Sequence, residues 1–287
     1  MQKKKNKTKI SARSLRYLVM ASVFGLAALI AGYYATRAPQ LELPYLTARN
    51  IAVLDMESDD FVYDLDGGAQ HSPASVTKLM TLCIVFDDIK SGALSWDDTY
   101  TVTPDEAFTM GSKYGMTPGE RFTVRQLVAG TVMASGCDCV QCLVKLCAAD
   151  EAAFVARMNE KARELGLSDT SFANATGIDS ADHYMTARDI AELSRHLIET
   201  HPEILDFTSV PALEIEGRTF QNVNRLVGRD ARVKGLKTGT TQIGGNNLVT
   251  YAEQDGRECI VVLLDSSSDA TRFSETVTVL DAFFGES

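Results

Sequence analysis

Tryptophan occurs once, histidine four times, proline seven times and glycine twenty times in 287 residues. So few prolines and glycines exclude a fibrous or low-complexity chain. With 45% hydrophobic and 23% charged residues, the composition is that of a globular protein with a sizeable core. None of the histidines (His71, His183, His196, His201) lies in an HExxH arrangement. There is no G-x-S-x-G elbow, no G-x-G-x-x-G after a strand and no phosphate-cradling loop, which argues against a Ser-His-Asp hydrolase and against nucleotide cofactors. Basic residues are scarce beyond the start. Of 28 Lys and Arg, seven (Lys3, Lys4, Lys5, Lys7, Lys9, Arg13, Arg16) fall in the first sixteen positions, leaving 21 against 38 acids, or −17, in the remainder. Phosphate backbones need basic surface, so no nucleic-acid partner is expected.

An apolar segment succeeds the basic head. Tyr17 to Thr36 is twenty residues without a charge, and a helix of that length spans roughly 30 Å, a bilayer's hydrocarbon core. Tyr17, Tyr33 and Tyr34 fall near its ends, and the preceding positive charges hold the N-terminus in the cytoplasm. Cleaved signal peptides have shorter apolar cores and a small-x-small site. The nearest candidate, Thr36-Arg37-Ala38, contains Arg and is followed by Pro39, which favours an uncleaved anchor. Either way the rest is exported. The expected organisation is a basic cytoplasmic head (1–16), a transmembrane anchor or signal segment (17–36), a short linker (37–47) and one folded domain (48–287).

Within that domain, apolar runs at Asn50–Met56 and Asp60–Leu65 read as a hairpin, and Asn247–Glu253 and Glu258–Leu264 flank the turn signal Asp255-Gly256. Helical spacing covers Pro73–Ile89, ended by Ser91-Gly92, and a capping box at Thr123/Gln126 opens Leu127–Met133. Further helices are expected at Asp150–Leu165, from Thr186 through Ile198, and at Ser274–Phe284. Strands at both ends and helices between them predict an antiparallel sheet whose first and last strands meet, with an inserted helical lobe.

Three short patterns could carry chemistry. Ser75-Val-Thr-Lys78 places a hydroxyl and an amine three apart on one helix face, where a lysine of lowered pKa can take the serine proton. With 20 Ser and 12 Lys, about one S-x-x-K is expected by chance, so alone it reads as a solvated turn. Lys237-Thr238-Gly239, in VKGLKTGTT, comes after an extended stretch and precedes Gly244-Gly245. It would set a cation and a hydroxyl on a strand edge, or be an ordinary edge-strand lysine. Ser135-Gly136-Cys137, at the end of the apolar run, could relay a proton or simply end a helix.

In order and spacing, these three motifs resemble those of the penicillin-recognising serine enzymes, and within them the low-molecular-mass D-alanyl-D-alanine carboxypeptidases (serine peptidase family S11). SPASVTKLMT, GSKYGMTPGERFTVRQLVAGTVMASG, FANATGID, HYMTARDIAELS and VKGLKTGTT with GGNNLV extend the resemblance from Ala48 to the end. It implies an α/β (α+β) fold of the penicillin-binding-protein/β-lactamase type, with about five antiparallel strands. It also implies a membrane-tethered, extracytoplasmic serine peptidase that removes the terminal D-Ala from peptidoglycan stem peptides and is trapped by β-lactams, with no metal or organic cofactor. Ser75, Lys78 and Ser135 would be catalytic. Lys237, Thr238, Gly239, Thr240 and Cys137 would bind substrate, with the N–H groups of Ser75 and Thr240 as the oxyanion hole.

One departure stands out. The family's second motif is Ser-x-Asn, and Cys137 replaces the Asn; a thiol is a weak donor and acceptor, so water or Asp138 would have to fill the gap. This keeps open a catalytically impaired wall-binding relative. A β-lactamase would need a deacylating glutamate, and the nearest candidate, Glu164, reads better as a solvated helix charge. Cys137, Cys139, Cys142 and Cys147 match no common zinc or iron–sulfur spacing and read as small apolar residues on a buried helix, with any disulfide inside that helix geometrically poor.

Overall fold

A computed structural model describes residues Gln40–Gly285, so the basic head and the apolar span at 17–36 lie outside the described residues. Among the described residues no helix is long and apolar enough to cross a membrane. In chain order the strands are β1 (Asn50–Asp55), β2 (Asp60–Leu65), β3 (Thr99–Thr101), β4 (Arg121–Thr123), β5 (Ala212–Ile215), β6 (Arg218–Gln221), β7 (Val233–Thr241), β8 (Gly245–Gln254) and β9 (Arg257–Ser266). The helices are α1 (Lys78–Ser91), α2 (Pro104–Ala107), α3 (Val124–Met133), α4 (Cys137–Cys147), α5 (Glu151–Glu164), α6 (Ala187–Thr200), α7 (Leu205–Thr208) and α8 (Asp269–Phe284).

Five strands form one antiparallel sheet in the order β2-β1-β9-β8-β7, while β3–β4 and β5–β6 are small separate hairpins. The predicted meeting of first and last strands is the β1–β9 pairing, running from Asn50↔Leu264 to Asp55↔Cys259. Both faces of the sheet are covered, which is why β9 reads as a nearly unbroken apolar run. Ala52, Leu54, Ile260, Val262 and Leu264 join the core shared with α1, α3, α4 and α6. The alternate residues Ile51, Val53, Val261 and Leu263 are also fully buried, on the face against which α8 packs.

Local signals act where expected. Thr123 accepts from the N–H of Gln126 while the Gln126 amide oxygen accepts from the N–H of Thr123, closing the capping box before α3. Asp150 and Thr186 cap α5 and α6, and Asp255-Gly256, both at positive φ, turn β8 into β9. Two boundaries differ from the sequence reading. The closing helix begins at Asp269 rather than Ser274, because Ser268 caps it through the N–H of Thr271. The helix expected from Pro73 begins as a 3₁₀ turn over Ala74–Thr77 and becomes α-helical only at Lys78. The segment read as a linker lies along the domain from Gln40: Leu41 donates to the Val62 carbonyl at 2.8 Å, and Thr47 bonds Ser267 and Glu275.

Candidate active site

The 3₁₀ turn sets the central geometry. With three residues per turn, positions i and i+3 eclipse, so Ser75 stands directly over Lys78 at the mouth of α1. The Lys78 Nζ lies 2.7 Å from the Ser75 Oγ and donates at 2.8 Å to the Thr176 carbonyl. Lys78 is fully buried, and burial lowers its pKa by disfavouring the charged form; the Cys137 side chain, hydrogen-bonded to it, opposes that shift. An amine held against a hydroxyl in this state can remove its proton. Ala74, just before the serine, has a positive φ of 51°.

The Thr176 carbonyl is positioned by Asn174. Its side-chain oxygen accepts from the N–H groups of Thr176, Gly177 and Ile178 and from the Thr176 hydroxyl, wrapping the ATGI loop around itself. Gly177 presses this loop against the Ser75 turn: at its φ of 88°, a Cβ would stand 1.9 Å from the Ala74 carbonyl oxygen. His183 buttresses the same turn. Its Nδ1 accepts from the Ala173 N–H at 3.0 Å, which places the ring proton on Nε2, 2.7 Å from the Thr77 Oγ1. Burial pushes this imidazole down to about 4, against the weaker pull of Asp179.

The second and third motifs meet through one hydrogen bond. Ser135, at φ 57° between α3 and α4, accepts from the Lys237 Nζ at 2.8 Å; Lys237 also donates to the Thr238 carbonyl at 3.0 Å. Lys237 is buried, and burial together with the charge of nearby Lys78 holds its pKa well below the ordinary lysine value. Strand β7 is a sheet edge, and it can lie this close to Ser75 because position 239 is glycine. A Cβ there would sit 2.9 Å from the Pro73 carbonyl and 3.2 Å from the Val76 N. Thr240 is exposed, and its Oγ1 accepts from the Arg272 Nη1 at 2.8 Å.

The structure brings Ser75 onto Lys78 and Ser135 onto Lys237, and it sets Gly239 against the Ser75 turn. Asp138 is engaged elsewhere. Its buried carboxylate accepts from the N–H groups of Tyr114, Gly115, Met116 and Cys139, so it organises the 112–116 loop and cannot fill the place of the missing Asn. Cys137 is buried, its N–H bonded to the Ser112 carbonyl at 2.7 Å and its Sγ 3.9 Å from the Ser112 Oγ. Glu164 is exposed and pairs with Lys161 at 3.2 Å, while among the described residues no carboxylate hydrogen-bonds Ser75 or Lys78. All six cysteines are free.

Like Thr176, Gly177 and His183, three more supporting groups have no counterpart among the site residues expected from the sequence. Asp179 accepts from Ser72, Thr241 and the N–H of Ile243; burial raises its pKa, but these bonds outweigh it and keep the carboxyl below its usual range. It ties Ser72, just ahead of the Ala74–Thr77 turn, to the end of β7. Arg272 reaches from α8 to donate to the carbonyls of Gly239 and Asn247, bracing β7 from behind. Asn174 lies in FANATGID, a segment that resembles the family but by itself assigns the residue no role.

Residues 36–268 match the peptidase S11 family, described as D-alanyl-D-alanine carboxypeptidase. The D-alanyl-D-alanine carboxypeptidase DacF of Bacillus subtilis is 29% identical over 244 residues, 83% of this chain and 62% of that protein. DacD of Salmonella typhimurium, of the same description, is 33% identical over 266 residues, 90% and 68% of the two chains. The ampicillin-bound crystal structure of penicillin-binding protein D2 from Listeria monocytogenes superposes with a TM-score of 0.78 at 31% identity. That match covers 85% of this chain and 99% of the other. The chain therefore spans about three-fifths of the length of the first of these relatives.

Proposed function

The chain belongs to the D-alanyl-D-alanine carboxypeptidase family, and we propose that it is a serine peptidase releasing the terminal D-Ala of peptidoglycan stem peptides through an acyl-serine. The observation that carries this reading is the Lys78–Ser75 contact of 2.7 Å on a fully buried lysine. The neutral Lys78 amine takes the Ser75 proton as the hydroxyl oxygen attacks the carbonyl between the two D-alanines. The N–H groups of Ser75 and Thr240 receive the oxyanion. The C–N bond breaks as the proton now on Lys78 passes through Ser135 to the leaving D-Ala nitrogen. Water then attacks the acyl carbon, its proton going by way of Lys78 to the Ser75 oxygen as the ester bond breaks.

Lys237 and Thr238 hold the terminal carboxylate. Burial disfavours an ammonium at Lys237 in the free enzyme, and an arriving carboxylate offsets that cost, so the site favours substrates with a free anionic end. A β-lactam presents a carboxylate and an acyl centre in a similar relation and is trapped at Ser75. On this reading the basic head stays in the cytoplasm, the 17–36 span anchors the chain, and the domain works outside the membrane, where stem peptides are.

The test is intact-mass spectrometry of the full chain incubated with benzylpenicillin, with Ser75→Ala as control, alongside D-alanine release from a peptide ending in D-Ala-D-Ala. A long-lived adduct absent from the control, with D-alanine released, is expected. No adduct at saturating drug would favour the second reading, a wall-binding relative disabled by Cys137. A rapidly hydrolysed adduct would indicate a β-lactamase.

A further inference from the structure

Away from the cleft, α1 carries Cys83 and Asp87 four residues apart, hence on one face, and the chain brings His201 against them just after α6. One ligand atom from each of the three lies within 4.8 Å of the other two. Thiolate, imidazole and carboxylate are the donors of tetrahedral zinc sites, in which ligand atoms stand about 3.3–3.8 Å apart, so the widest separation must close by up to about 1 Å while the imidazole and carboxylate open by about 0.5 Å to admit the ion. The histidine is already oriented. It is 1% exposed, and its Nε2 faces Asp87 Oδ1 at 2.8 Å. The buried Nδ1 has no hydrogen-bond partner, but the Glu203 Oε1 lies 3.7 Å away. A metal on Nε2 would put the ring proton on Nδ1, facing Glu203. That is the carboxylate–histidine–metal relay by which ligating imidazoles are usually held.

We propose that Cys83, Asp87 and His201 form a site for a single Zn²⁺-like ion, clamping α1 to the segment after α6, with water from the half-exposed Asp87 side completing the coordination. On binding, the Cys83 S–H bond breaks, the sulfur–metal bond forms and the proton leaves to solvent. The Lys161 ammonium, 2.9 Å from Asp87 Oδ2, competes with the ion. It has a second partner in Glu164 at 3.2 Å, to which it retreats when the metal enters.

The experiment uses the full chain, stripped with a chelator and titrated with Co²⁺ and Zn²⁺. Expected are one cobalt per chain, a thiolate-to-cobalt charge-transfer band in the near ultraviolet, and an unfolding midpoint that rises by several degrees in excess Zn²⁺. Cys83→Ser loses the band. Lys161→Gln, which removes the competing cation, binds Co²⁺ about tenfold more tightly or better. No band in the parent chain, or a band that survives Cys83→Ser and so arises from the α4 cysteines, overturns the site. Unchanged or weaker Co²⁺ affinity in Lys161→Gln overturns it as well, even where Cys83→Ser fails to fold.

Discussion

The Lys237 Nζ is bonded to the Ser135 Oγ at 2.8 Å, joining residues 102 positions apart from the helical lobe and the edge of the sheet. The two motifs form one unit, because a buried amine needs a partner and the hydroxyl is the side chain that supplies it. Ser135→Ala is expected to slow penicillin acylation about 100-fold or more, the range of a lost proton-transfer group. The check is the second-order acylation rate; a change under threefold would remove Ser135 from the proton path.

Cys137→Asn restores the family's usual residue. Besides Cys137, Lys78 has partners in Ser75 and the Thr176 carbonyl, so the dyad keeps two of its bonds whatever stands at position 137. D-alanine release is expected to change by less than about tenfold. A jump from near zero would instead establish Cys137 as a disabling substitution.

The pH dependence of acylation derives from Lys78. Burial lowers its pKa from the ordinary lysine value, so the amine form required for proton removal accumulates below the pH at which a free lysine would lose its proton. Acylation is expected to rise with pH on a limb below 10.5 and to plateau once Lys78 is neutral. A stopped-flow profile rising only above that value would contradict the assignment of Lys78 as base.

His183 has a pKa of about 4 in the fold against 6.5 unfolded. Between those values the unfolded chain binds the proton and the native chain does not. The stability from a neutral His183 is therefore complete above pH 6.5 and lost as pH falls to about 4, on the order of 3 kcal/mol. Urea midpoints at pH 7 and 4.5 should converge in His183→Gln relative to the parent; parallel losses in both proteins would refute the linkage.

Gly177→Ala places a methyl group where the Ala74 carbonyl stands, forcing the loop away from the nucleophile turn. The Thr176 carbonyl moves with it and Lys78 loses a partner. Acylation should fall at least tenfold, with destabilisation of about 1–3 kcal/mol. Measured rate and unfolding midpoint together test this, since a purely local strain would lower the midpoint and leave the rate intact.

Local patterns are legible because local physics decides them. The Thr123/Gln126 capping box and the Asp255-Gly256 turn depend on neighbours within four residues, and each stands where the sequence places it. The two shifted boundaries have different causes, one a local cap and the other tertiary packing. Ser268 looks like loop until it is seen to cap Thr271, and the Ala74–Thr77 turn looks like helix until Gly177 and Gly239 are seen packed against it. Asp138 misleads for the second of these reasons: charge and proximity suggest the active site, whereas four backbone donors on and beside the neighbouring loop claim the carboxylate.

The sequence by itself determined the three motifs, the antiparallel sheet whose first and last strands meet, and the family, since these reside in residue identities and short spacings. Tertiary structure alone decided which groups surround the reacting atoms. Thr176 presents its carbonyl to Lys78, Asp179 ties Ser72 to Thr241, and Arg272 braces Gly239 from a helix 33 residues further on. Each is a polar group whose burial requires a partner, and the partner is a backbone atom or a hydroxyl that any residue or any serine could have supplied. Chain topology, rather than residue type, chose which one.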